Sequence, residues 1–330
     1  MSPSSLLFLL TLIMGTLITI SSTSWFGVWM GLEMNLLSFV PLMAQSNKFS
    51  TEAALKYFLT QAFASVVLLM GVVMTYLDSP LANSGENLPT LAILLAALVK
   101  MGAAPVHFWF PEVSGGLQWN SNMILMTWQK IAPFIVLMYL EMPPTILILA
   151  ASFSALAGAL GGFNQTSMRK ILAFSSINHM AWMIVSVTAS QALWMTYFMT
   201  YSVMTLVMMV YFNFNNINTL PQMTLSSLKS PLESFLVSAN MLSMGGLPPF
   251  LGFFPKWMVM EFMISQGLFI LALFMIFMTL IVLYFYLRLT YPSFMFFSHS
   301  PKFMPTKTQP SPIFLLWASV SGLIVAPLMI

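Results

Sequence analysis

The sequence predicts an all-α polytopic membrane protein of about eleven transmembrane helices, and three observations carry that reading. The 330 residues are 59% hydrophobic and only 6% charged, whereas soluble domains are roughly 25% charged. Apolar runs of about 20 residues, each long enough to cross ~30 Å of hydrocarbon at ~1.5 Å per residue, recur along the whole chain. When these runs are threaded alternately through a bilayer, eight of the eleven Lys and Arg residues fall at connections on one side and none on the other, the asymmetry that fixes orientation at insertion.

In order, the runs cover 4–22, 25–43, 54–77, 89–110, 122–141, 144–163, 170–188, 191–212, 231–264, 267–289 and 311–329. Polar and Pro-rich joints separate them: SSTS at 21–24, DSPLANSGENLP at 78–89, MPP at 142–144 and SHSPKFMPTKTQPSP at 298–312. Such residues favour turns over continued helix. Eleven spans leave about 110 residues for ends and connections, too few for a sizeable soluble domain. The first residues carry no Lys or Arg, so the first run is expected to be a retained helix, not a cleaved signal.

The basic residues at connections are Lys48, Lys56, Arg169, Lys170, Lys229, Arg288, Lys302 and Lys307, all on the amino-terminal side. Asp78, Glu86, Glu141 and Glu261 lie near the other side. The amino terminus therefore faces the insertion compartment, matrix or cytosol.

Composition also removes function classes. There is no Cys, so no disulfide, thiolate-held iron–sulfur cluster or Cys nucleophile can be built from this chain. His107, His179 and His299 are far apart and lack metal-site spacing. No glycine-rich phosphate loop is present, and a net charge of +3 without a basic patch gives nucleic acid nothing to bind. The 31 Met residues are spread through the apolar runs and read as filler.

Three basic residues remain, Lys100, Lys130 and Lys256, and they fall inside predicted spans, as does Glu33 in WMGLEMNLLSF. A charge at a helix centre costs about 2.5–3.5 kcal/mol on the insertion scale, and an apolar side chain would cost nothing there. Buried ion pairing or snorkelling is the structural alternative for each one taken singly. Four together, in a chain with no soluble site to serve, point to a functional role. His107, seven residues after Lys100, and His179, in SSINHMAW, are candidate proton relays. Their bland alternative is an interhelical hydrogen bond.

Two of the runs cannot be straight helices. Pro231 to Ser265 would measure about 52 Å, well beyond the ~30 Å core, and GGLPPFLGF inside it combines missing donors with glycine freedom. The stretch after Pro89 meets the same difficulty at GAAP, 102–105. Helix breaks are thus predicted in spans 4 and 9. MGAAPVHFWFP from Met101 and MGGLPPFLGFFP from Met244 are similar to each other and five spans apart, hence opposite in direction, as inverted-topology transporter repeats require. The chain then reads as one membrane domain, 1–330, with five-helix repeats at 1–143 and 144–290 and a loop plus final helix at 291–330. Broken helices bring free backbone groups to an ion pathway near the midplane. Opposite charges ~4 Å apart at an effective dielectric of ~20 attract by about 4 kcal/mol, so moving a carboxylate against an amine can load or release a proton.

Five segments in order, WMGLEMNLLSFVPLM, ALVKMGAAPVHFWFPEV, TWQKIAPF, RKILAFSSINHMAWM and GGLPPFLGFFPKW, resemble the antiporter-like membrane subunits of respiratory complex I in their animal mitochondrial form. The resemblance covers essentially the whole chain. It implies that Glu33 pairs with the broken-helix lysine Lys100, that Lys130 is the central lysine and that Lys256 serves the far half-channel, with His107 and His179 inside matching motifs. It implies proton translocation coupled to NADH:ubiquinone electron transfer. No redox cofactor is expected in this chain, and NADH, FMN, iron–sulfur clusters and ubiquinone are expected in other subunits. Partners would be other membrane-arm and accessory subunits and phospholipid, with no nucleic acid. The location would be the mitochondrial inner membrane, amino terminus in the matrix and carboxyl terminus in the intermembrane space. A stand-alone cation/proton antiporter and a non-pumping structural subunit of the membrane arm are the alternatives.

Overall fold

Where there is no water, a backbone must satisfy its own N–H and C=O groups, and a single segment does that only as a helix. The computed structural model describes residues 3–44, 47–77, 88–140, 143–227, 231–248 and 250–295. Fourteen helices account for nearly all of them. The eleventh predicted span and residues Asp78, Glu86, Glu141, Lys229, His299, Lys302 and Lys307 lie outside the described residues.

Seven of these helices are long and apolar enough to cross a membrane: α1 (Pro3–Ser21), α2 (Trp25–Met43), α3 (Lys48–Leu77), α8 (Pro144–Gly162), α9 (Met168–Ala189), α10 (Gln191–Phe214) and α14 (Phe269–Met295). They coincide with predicted spans 1, 2, 3, 6, 7, 8 and 10. Serines start two of them: Ser24 Oγ accepts from Gly27 N at the head of α2, and Ser190 Oγ from Leu193 N at the head of α10, each satisfying a donor the helix cannot. The other described spans are interrupted. Span 4 becomes α4 (Leu88–Met101) and α5 (Trp109–Gly116), and span 9 becomes α12 (Pro231–Gly245) and α13 (Phe253–Ser265).

Two features depart from the sequence reading. Span 5 is divided at Thr127 into α6 (Trp119–Met126) and α7 (Trp128–Tyr139). Thr127 Oγ1 donates back to Met123 O at 2.7 Å, a side-chain bond of the kind that bends helices, and Pro133 inside α7 has no N–H to offer Gln129 O. A short helix, α11 (Leu220–Ser227), occupies a predicted loop; at eight residues of mixed polarity it shows no spanning pattern.

By contacts, the chain divides into two compact units, one ending at Ile146 and the other starting at Leu147. In the first, α1 and α2 pack tightly because glycines face each other: a Cβ on Gly31 would lie 2.8 Å from Gly15 O. Close backbone approach of this kind is how helices associate in lipid, and it sets the rotation of α2 and hence of Glu33 and Asn35. Helices α3, α4 and α7 pack onto this pair or onto one another. In the second unit α9 is the central helix, 83% buried over its apolar window, so Ser175, Ser176, Asn178 and His179 on it are wholly interior. Outward faces of α1, α3 and α14 carry the exposed Leu10, Phe63 and Phe277, the arrangement a lipid or partner-helix environment stabilises.

Candidate functional site

Each break leaves helix-end carbonyls that must be satisfied. At the end of α4, Gly102 takes φ +75°. Its N–H bonds Val99 O at 3.0 Å and Ala103 N bonds Leu98 O at 3.0 Å, a Schellman closure. At the end of α12, Gly246 takes φ +86°, with its N–H on Ser243 O at 2.9 Å and Leu247 N on Leu242 O at 3.4 Å. The two breaks share one local device, and both require glycine.

The lysines meet these ends differently. Lys256, on α13 and 5% exposed, donates from Nζ to Gly245 O at 2.8 Å and Met244 O at 3.2 Å. Its charge thus sits on the last free carbonyls of α12, at the negative end of the helix dipole. A Cβ on Gly246 would come within 2.8 Å of Lys256 Cδ and 2.9 Å of Nζ. We therefore expect Gly246→Ala to cost about 1–2 kcal/mol of left-handed strain while pushing the flexible lysine off its carbonyls. Proton-coupled turnover should fall more than thermal stability does; retention of full turnover would disprove the capping role.

Lys100 lies in the last turn of α4, buried, but leaves the helix end to other donors. Trp109 Nε1 bonds Val99 O at 3.1 Å and Gln61 Nε2 bonds Lys100 O at 3.4 Å. Lys100 instead lines a small polar cavity with Asn35 of α2, Tyr57 and Gln61 of α3 and Gln129 of α7. Glu33 lies one turn from Leu36 on α2, and Leu36 borders the same cavity. No hydrogen bond joins Glu33 to Lys100, and among the described residues the buried Glu33 Oε2 accepts none from the protein. Lys130, only 1% exposed on α7, has its Nζ 5.5 Å from the Phe110 ring centroid, within cation–π range. Phe110 reaches that place because Gly102 has no Cβ to block it.

The histidines separate. His179 is buried, with Nδ1 3.1 Å from Tyr197 Oη and its ring 5.2 Å from that of Tyr201. Beside it the amide of Asn178 is buried with no hydrogen-bond partner among the described residues, a condition that native proteins rarely leave unexplained. His107 sits in the first break, half-buried, its Nδ1 3.2 Å from Pro105 O and its ring against Phe108 at 4.3 Å. These contacts do not join it to Glu33 or Lys100.

The sequence reading overlooked Asn35, Tyr57, Gln61, Gln129 and Tyr197. A signal existed for the amides: Asn35 is two residues from Glu33, Gln129 adjoins Lys130, and an amide in oil is costly for the same reason a charge is. Among the described residues no group of three or more His, Asp or Glu side chains is placed to hold a metal ion.

Buried lysines at two broken helices fit a membrane subunit of the proton-antiporter type, and the model of the NADH:quinone oxidoreductase/Mrp antiporter family matches residues 22–282. A chain of respiratory complex I from Thermus thermophilus has the same fold, with a TM-score of 0.83 at 26% identity over 99% of this chain and 78% of that one. A chain of the Mrp complex from Dietzia sp. superposes with a TM-score of 0.75 at 17% identity over 93% of this chain and 63% of that one, a likeness of fold. NADH-ubiquinone oxidoreductase chain 2 of Anopheles gambiae is 48% identical over 296 residues, covering 88% of this chain and 86% of the relative. The chain belongs to the NADH-ubiquinone oxidoreductase chain 2 family.

Proposed function

We propose that Glu33, Lys100, Lys130 and Lys256 carry proton translocation in this antiporter-like subunit of NADH:ubiquinone oxidoreductase. Glu33 modulates Lys100, Lys130 relays, and Lys256 governs the far half-channel. The observation that carries the reading is the placement of Lys100 and Lys256 at paired helix breaks, both buried, where a charge is expensive unless it is used. His179, hydrogen-bonded to Tyr197, is the better supported relay; His107 serves at the mouth of the first break. The driving reaction, with its NADH, FMN, iron–sulfur clusters and ubiquinone, belongs to partner subunits of the complex.

The matching glycine closures at Gly102 and Gly246 support two inverted five-helix repeats, 1–143 and 144–290. The one-sided basic residues support an amino terminus in the matrix and a location in the mitochondrial inner membrane, among membrane-arm and accessory subunits and phospholipid. Glu33→Gln tests the modulator role, because it keeps shape and removes charge. Proton translocation by the assembled complex should fall, with Glu33→Asp restoring part of it. Wild-type pumping in Glu33→Gln would remove Glu33 from the mechanism.

A further inference from the structure

We propose that Tyr57, Gln129 and Asn35 are positioning residues that hold a single water molecule against Lys100. The inference rests on the reading of Lys100 as a proton carrier and adds to it the groups that orient the proton's route.

The three side chains form a directed chain. Tyr57 Oη donates to Gln129 Oε1 at 3.4 Å, and Gln129 Nε2 donates to Asn35 Oδ1 at 3.0 Å. The Tyr57 ring packs edge-on against Phe39 at 5.4 Å and Trp109 at 5.7 Å, contacts that fix where its hydroxyl oxygen lies. The chain ends at the Tyr57 hydroxyl and the Asn35 amide. Both residues line the cavity they share with Lys100, Gln61 and Gln129, whose volume is about 10 Å³, close to what one water needs. Water there finds donors and acceptors on several sides, the condition for an ordered buried water.

The helix end shows why the lysine belongs to this cavity. In the second unit Lys256 donates to its helix-end carbonyls. In the first, Gln61 takes the carbonyl of Lys100, which corresponds to that of Met244, and Trp109 takes that of Val99 one residue earlier, so the Lys100 ammonium is turned to the polar space. Carboxamides neither gain nor lose protons at physiological pH, so the chain cannot pass a proton along itself. What it does is fix the water's place and the direction of the dipoles around the amine, between the helix of Glu33 and the helix of Lys130.

The test compares Gln129→Met with Gln129→Asn in the assembled complex, measuring protons moved per NADH oxidised and quinone-dependent turnover. Methionine matches glutamine in volume but ends the chain; asparagine is smaller but keeps donor and acceptor. A positioning role predicts a loss of about tenfold for Met, the effect of leaving buried polar partners unmatched, with Asn clearly better. A packing role predicts the reverse order, and that order would overturn the proposal. Tyr57→Phe, which removes one hydroxyl, should lower pumping in the same direction and decides the matter if Gln129→Met fails to assemble; wild-type pumping in Tyr57→Phe would then overturn it. Lys100→Met is the reference. If Lys100→Met is impaired and Gln129→Met is normal, the water site alone is refuted; if Lys100→Met pumps normally, the reading of Lys100 falls and takes this inference with it.

Discussion

Replacing Lys130 by methionine is expected to abolish proton movement through this subunit while leaving the assembled complex no less stable than before. Lys130 is 1% exposed on α7, so its ammonium stands in a region where charge costs about 2.5–3.5 kcal/mol. Methionine has similar length and no such cost. Against that relief stands the loss of the contact with Phe110 at 5.5 Å, a cation–π interaction of roughly 0.5–2 kcal/mol. The difference, roughly 0.5–3 kcal/mol, favours methionine, so thermal stability should not fall. Activity should not be spared: removing a group that takes and returns a proton lowers rates on the order of 10²-fold or more. Measuring protons per NADH in vesicles alongside thermal inactivation separates the two effects. A variant that pumps normally but melts earlier would show that Lys130 only sets helix packing, as the structural-subunit alternative holds.

Gly102→Ala is expected to destabilise the first unit strongly. Gly102 has φ +75°, a backbone setting that costs other residues about 1–2 kcal/mol. The new Cβ would also stand 2.8 Å from Phe110 Cβ and 3.1 Å from its Cγ, close to the root of a buried side chain that cannot swing aside. Overpacking of this type adds ~1–3 kcal/mol, for a total of roughly 2–5 kcal/mol. Phe110 would have to leave its position beside Lys130, and with it Trp109, whose indole N–H caps Val99 O. Gly267 is the internal control: its φ is +73° but nothing lies within 4 Å, so Gly267→Ala should show the strain alone. Assembled complex and thermal inactivation of both variants provide the measurement. Equal behaviour of the two would mean that the close approach to Phe110 has no energetic weight.

Much of this protein was legible before any coordinates. Hydropathy and helix length are properties of consecutive residues, so membrane insertion, the seven uninterrupted spanning helices and the breaks at GAAP and GGLPP could be read from the chain directly. The costly residues were visible for the same reason, since Glu33, Lys100, Lys130 and Lys256 stand out within apolar runs whatever they touch. Tertiary structure decided which groups meet. Gln129 and Asn35 are 94 positions apart, and their hydrogen bond depends on how α2 and α7 are rotated, which is set by packing such as the Gly15–Gly31 approach. Lys256 donates to the end of α12, whereas at the end of α4 Trp109 and Gln61 supply the donors and Lys100 turns to a polar cavity; Thr127 divides a span through a side-chain bond. Transfer cost adds up along a sequence; contact between helices depends on their mutual rotation, which no local run of residues encodes.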